Sequence, residues 1–103
     1  MTVVGQSMRP TLGPGDWLLV DPDAYRRRAP RAGELVVAPD PRDPARVLVK
    51  RVAAVDLDGR LLLAGDDRVA STDSRTFGAI EAGAVGGRAW FRVRPLRRFG
   101  PVR

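Results

Sequence analysis

The sequence predicts an all-β domain, a small barrel or coiled antiparallel sheets built from six or seven short strands. Eleven glycines and nine prolines cut the apolar runs at frequent intervals, which favours strands over helices. No segment keeps a helical period over three turns. Asp58-Gly59 stands between two apolar runs, where a tight type I′ hairpin turn is expected.

Val3-Val4 reads as a short strand ending at Gly5. Arg9 to Gly15 is too dense in proline and glycine for helix or strand and is expected to be a loop. Trp17-Leu18-Leu19-Val20 is a second strand closed by Asp21-Pro22, and the arginine-rich stretch Asp23 to Ala32 is a surface loop. Glu34 to Ala38 forms a third strand, broken by Pro39, Pro41 and Pro44. Val47 to Asp56 pairs through the Asp58-Gly59 turn with Arg60 to Ala64. A polar loop from Gly65 to Gly78 follows, and Ala84 to Arg94 supplies one or two final strands. Residues 1–103 are expected to form a single domain with a modest core.

The formal net charge is +6, with arginines grouped at Arg26-Arg27-Arg28 and from Arg92 to Arg103. Such charge suits an acidic partner, a nucleic acid or an anionic membrane surface. The six aromatic residues do not alternate with arginines as a base-stacking platform would, so nucleic acid is a disfavoured partner. The arginine groups are expected to be a solvated face, and peripheral contact with a membrane stays open. No run reaches the span of a bilayer, and the N-terminus lacks a signal-peptide pattern, so a cytoplasmic location is expected.

The chain has neither cysteine nor histidine. That excludes thiolate sites, a Ser-His-Asp triad and histidine-ligated metal. Hydrolytic chemistry would have to use carboxylates or a Ser/Thr/Lys system. Seventeen of the eighteen basic residues are arginine, and the one lysine, Lys50, sits in Val47-Leu48-Val49-Lys50-Arg51-Val52. Unlike arginine, a lysine can lose its proton when desolvated. Coding bias also accounts for one surviving lysine, and lysines snorkel out of strands. Ser7 stands where a strand gives way to a rigid turn, a corner that can expose a hydroxyl and aim backbone N–H groups at it. A serine hydroxyl needs a base, and Lys50 is the candidate. Alternation places residues 47 and 49 opposite 50 and 52, so other strands must help to desolvate the amine.

Gly5-x-Ser7-Met8-x-Pro10-Thr11-Leu12, Gly15-Asp16, Lys50-Arg51-Val52 and Gly65-Asp66 with Ser71-x-Asp73-Ser74-Arg75-x-Phe77-Gly78 resemble, in order, the boxes of type I signal peptidases. The resemblance implies a hydrolase, a serine endopeptidase with Ser7 as nucleophile and Lys50 as general base. It implies an oxyanion donor at Ser7 N–H, Ser71 orienting the lysine amine, and structural support from Asp16, Asp66, Asp73 and Arg75. Met8, Leu12, Leu48 and Val49 would line the substrate groove, and the partner is a protein substrate. Where some members offer a second oxyanion donor two places before the nucleophile, this chain has Gly5. An extended peptide could add between the Ser7 and Lys50 segments as an extra strand.

The serine is residue 7 and the Lys50–Gly65 interval is short, so a catalytic core without a membrane anchor or second lobe is expected. A compact member of this group resembles the nickel-type superoxide dismutase maturation proteases, which remove a short propeptide from a precursor. Nickel would then belong to the substrate, and this chain would hold no metal or cofactor. The alternatives are a type I signal peptidase core, a self-cleaving repressor-like protease, and a non-catalytic peptide- or nucleic-acid-binding module.

Overall fold

The computed structural model describes residues 1–67 and 78–102. Six strands, β1 (Trp17–Asp21), β2 (Leu35–Asp40), β3 (Asp43–Val55), β4 (Leu61–Ala64), β5 (Gly87–Arg94) and β6 (Gly100–Pro101), form one sheet. Their order is β1-β5-β2-β3-β4, with β6 on β5, and every ladder is antiparallel. Two 3-10 turns, Ala82–Ala84 and Leu96–Arg98, are the only helical elements among the described residues. No helix among them is long and apolar enough to cross a membrane. The all-β class and antiparallel sheet expected from the sequence are what the structure has.

β2 holds the centre because both its faces are apolar. Leu35 packs with Val3, Met8, Leu12, Leu18, Val49, Ala89 and Val102. The alternate residues Val36 and Ala38 pack with Val52, Leu61, Leu63 and Ile80. Two cores on opposite sides of one hairpin explain why Leu48, Val49 and Lys50 are buried in succession on β3. Burying each such valine or leucine contributes about 1.5–3 kcal/mol before conformational entropy is charged against it.

Four departures from expectation have local causes. Val3-Val4 makes no strand. Thr2 forms an isolated bridge to Trp17, Val3 N–H donates to Asp16 O (2.8 Å), and left-handed glycines at 5 (φ 84) and 15 (φ 86) bound the segment. The prolines do not break the sheet, since Pro39 still pairs with Val47 and β3 already begins at Asp43. Asp40, buried, ties that turn by accepting from Arg42 N–H (2.8 Å), Nε (3.1 Å) and Nη2 (3.0 Å). The β3–β4 connection is not a type I′ turn, because Gly59 alone has positive φ (80). Gly59 N–H bonds Asp56 O (3.0 Å) and Asp56 N–H bonds Arg60 O (2.9 Å), a three-residue connection closed by a left-handed glycine. Arg92 is not part of a solvated face; it is 8% exposed.

At its start β5 lies hard against the end of β1: a Cβ on Gly87 would meet Asp21 O at 2.6 Å. Trp17, Leu19, Trp90 and Phe99 are exposed on β1, β5 and the turn before β6. There Phe91 meets Phe99 edge-on (4.8 Å between centroids) and Arg94 stacks over Trp17 (5.2 Å).

Candidate active site

Ser7 lies on a turn that no ladder supports. Gly5 swings the chain through φ 84, a conformation that disfavours any residue with a Cβ, so a serine donor at that place is structurally disfavoured. Arg9 N–H to Gln6 O (3.1 Å) and Leu12 N–H to Met8 O (2.9 Å) close the turn. Met8 and Leu12 pin it by entering the core, at 2% and 0% exposure. Leu12 is therefore a core residue and does not line the groove. Ser7 is half-buried, and its N–H makes no hydrogen bond among the described residues.

Two carboxylates hold this turn. Asp16 Oδ2 accepts from Gly13 N–H (2.9 Å) and from Arg92 Nη1 (2.9 Å). Arg92 also donates to Thr11 O (2.8 Å) and, through Nε, to Arg98 O (2.9 Å). Asp66 takes Arg51 in a fork, Nε to Oδ1 (2.8 Å) and Nη2 to Oδ2 (2.7 Å), and accepts from the Thr11 hydroxyl. The adjoining Asp67 N–H donates to Ser7 O (2.8 Å). The Arg51 guanidinium beside Asp66, with the Thr11 hydroxyl, holds its carboxyl below the usual carboxylate range against a smaller opposing effect of burial.

Lys50 is placed by a ladder. It pairs with Val36, and its neighbours on the same face are Leu48, opposite Ala38, and Val52. It is 2% exposed. The desolvating wall that β3 could not supply alone thus comes in part from β2. Residues 50 and 51 divide the strand's work, the lysine to one face and Arg51 to the Asp66 bracket.

Ser7 and Lys50 line one cavity of about 340 Å³, walled by residues 1–8 on one side and 46–50 on the other. Met8, Leu48 and Val49 contribute to it. Among the described residues β4 pairs with β3 only from Arg51 onward, so residues 46–50 have β2 on one edge and the cavity on the other. An edge of that kind can hydrogen-bond an extended peptide. Ser71, Asp73 and Arg75 lie outside the described residues.

Sequence reasoning passed over Arg51, Thr11, Asp67 and Arg92. The first two stand inside the quoted boxes, beside Lys50 and Pro10, and could have been nominated from there. Nothing in the sequence links Arg92 to Asp16, 76 residues away.

A serine on a braced turn and a lysine amine in one peptide-sized groove have the make-up of a peptidase. The chain belongs to the signal peptidase family, peptidase S26, whose model matches residues 1–56 and 57–94. It is 33% identical over 120 residues to the mitochondrial ATP-independent inner membrane protease subunit 1b of Arabidopsis thaliana, covering 95% of this chain and 71% of that one. Human mitochondrial inner membrane protease subunit 1 is 30% identical over 118 residues, covering 96% and 71%. Signal peptidase I of Streptococcus pneumoniae serotype 4 is 46% identical over 43 residues, 42% of this chain and 21% of that one. These relatives do not carry the name of the nickel superoxide dismutase maturation proteases, and they favour the signal-peptidase reading over that narrower one.

Proposed function

We propose that this protein is a serine endopeptidase that removes leader segments from protein precursors, with Ser7 as nucleophile and Lys50 as general base. One observation carries the reading: the sole lysine of the chain is buried in the same groove as Ser7, on the wall that β3 contributes. Burial disfavours a charged amine, so a neutral base is within reach there.

Ser7 Oγ attacks the carbonyl carbon of the scissile bond while the Lys50 amine takes its proton. The Ser7 N–H faces the developing oxyanion. The tetrahedral intermediate collapses as Lys50 returns that proton to the leaving amine, freeing one product and leaving an ester on Ser7. Water, deprotonated by Lys50, then attacks the ester. The second product leaves as a carboxylic acid, and the proton held by Lys50 returns to Ser7 Oγ.

The relatives' names favour signal-peptidase-type processing. Maturation of a nickel-type superoxide dismutase precursor is the narrower alternative, suggested by the chain's brevity, the serine box and the arginine-rich segment Arg97-Arg98-Phe99-Gly100-Pro101. Contact with an anionic membrane surface would fall on the face bearing Trp17, Leu19, Trp90 and Arg94, which joins aromatic and cationic groups suited to a bilayer interface.

The test incubates the full chain with precursors carrying cleavable leaders, a nickel superoxide dismutase precursor among them, and identifies the new N-terminus by mass spectrometry. Ser7→Ala and Lys50→Met are expected to lose about 10³-fold or more in rate, and the wild-type rate should fall as pH drops below neutrality. Cleavage that survives Ser7→Ala, or a rate flat in pH, would sink the dyad.

A further inference from the structure

Resting on the peptidase reading, we propose that Arg46 makes this groove selective for substrates with an acidic side chain four residues beyond the residue at the scissile bond. Among the described residues that line the cavity none is an aspartate or glutamate, and the basic side chains are Arg46 and the Lys50 amine. Arg46, Leu48 and Lys50 all line the β3 face of the cavity, Arg46 within the register shift that precedes Val47, and four residues of strand span about 13 Å. Burial grades along that face. Lys50 is 2% exposed, Leu48 9%, and Arg46 stands in the open.

Many of the chain's other arginines are already committed. Arg28 is held by Glu34, Arg51 by Asp66 and Arg92 by Asp16. Asp40 lies within the electrostatic reach of Arg46, but both its carboxylate oxygens already accept from Arg42. Among the described residues Arg46 makes no salt bridge. Its charge is presented to whatever occupies the groove.

An extended peptide bonded along the 46–50 edge has its own alternation locked to that of β3. If a small residue at the cleaved bond lies by Lys50, the residue two places away meets Leu48 and the one four places away meets Arg46. Aliphatic and then acidic is the pattern that fits. An acid displaced by one residue points to the other face and gains nothing.

The experiment takes a peptide that the wild type cleaves and places Asp, Asn or Lys four residues beyond the residue at the cleaved bond, on each side in turn, with matching peptides shifted by one residue. On one side of the bond the wild type should cleave the Asp peptide about three- to tenfold faster in kcat/KM than the Lys peptide, as for a partly exposed ion pair. The ratio should shrink at high salt. In Arg46→Glu it should invert, whereas Arg27→Glu, the same charge change outside the groove, should keep it. A wild-type ratio near one at both positions, or an Arg46→Glu ratio unchanged, overturns the proposal while cleavage stays dependent on Ser7. Cleavage that ignores Ser7→Ala overturns the peptidase reading, and the proposal with it.

Discussion

The two walls of the groove are built by different means. Lys50 rides on a β-ladder, its place set by backbone pairing with Val36 and by apolar packing on both faces of β2. Ser7 rides on a turn whose position depends on side chains that reach it from distant parts of the chain: Asp16 with Arg92, Asp66 with Arg51 and Thr11. A ladder spreads its restraint over many backbone bonds, so no single side chain controls it. A turn held by two ion pairs can be released by one substitution that touches nothing in the groove. The serine side should therefore be the fragile half of this site.

The largest break is Asp16→Ala. It strips the acceptor from Gly13 N–H and leaves Arg92, whose side chain is 10% exposed, without its carboxylate. Leaving a buried charge unpaired costs about 3–5 kcal/mol, and in a domain of this size each kcal/mol moves Tm by about 4–8 °C. A Tm drop of more than about 10 °C is expected by calorimetry. Adding Arg92→Leu should recover much of that stability, because no orphaned charge then remains, without restoring cleavage. Wild-type cleavage in the double variant would show that the serine turn holds itself.

Asp66→Asn makes a finer cut. The pair with Arg51 is partly open, at 24% and 18% side-chain exposure, so about 1 kcal/mol of stability is at stake. Misplacing a nucleophile by about an ångström costs up to 10²-fold in rate, however, so kcat should fall about 10- to 100-fold with little change in Tm or KM. Equal losses in kcat and stability would mean that the bracket supports the fold alone.

The difference between the walls also decides what the sequence could disclose. Ladders leave a local trace: the apolar runs at Leu61-Leu62-Leu63 and at Val47 to Val52 are visible without any partner, and those strands were legible. So was the chemical singularity of one lysine among seventeen arginines. Brackets leave no such trace. Arg92 looked like one more member of a basic tail, and Arg28 like part of a solvated triplet, because the carboxylates that capture them are set by tertiary contact. The prolines at 39, 41 and 44 suggested a broken strand, because the tie from Arg42 to Asp40 that carries the sheet through the turn shows only in three dimensions. Leu12 looked like a groove residue from its box, whereas its full burial follows from how the turn folds back onto β2.

Glu34 offers the control on the ladder side. It stands just before β2, away from the cavity lining, and accepts from Arg28 Nη1 (2.9 Å) and Nη2 (2.6 Å), Arg31 N–H (2.8 Å) and the Tyr25 hydroxyl (3.3 Å), with Arg88 Nη1 at 3.3 Å. The Arg28 hydrogen bonds first, then Arg31 N–H and the guanidinium charges, outweigh burial and bring its pKa down to about 2. Burial and the neighbouring Glu34 push the Tyr25 hydroxyl up to about 12. A carboxylate with a depressed folded-state pKa stabilises the fold fully above its unfolded value of 4.5 and loses that contribution as pH falls toward about 2. The stability at stake is about 1–2 kcal/mol after allowance for solvent screening. Glu34→Gln should thus flatten the acid limb of a Tm–pH curve between pH 4.5 and about 2, and leave kcat at neutral pH as in the wild type. A carboxylate–arginine hub as well furnished as those at Asp16 and Asp66 would then be silent in catalysis, because the wall it serves is held by backbone. If Glu34→Gln instead lowers kcat as far as Asp66→Asn does, the ladder is no stiffer than the turn, and the contrast between the two walls fails.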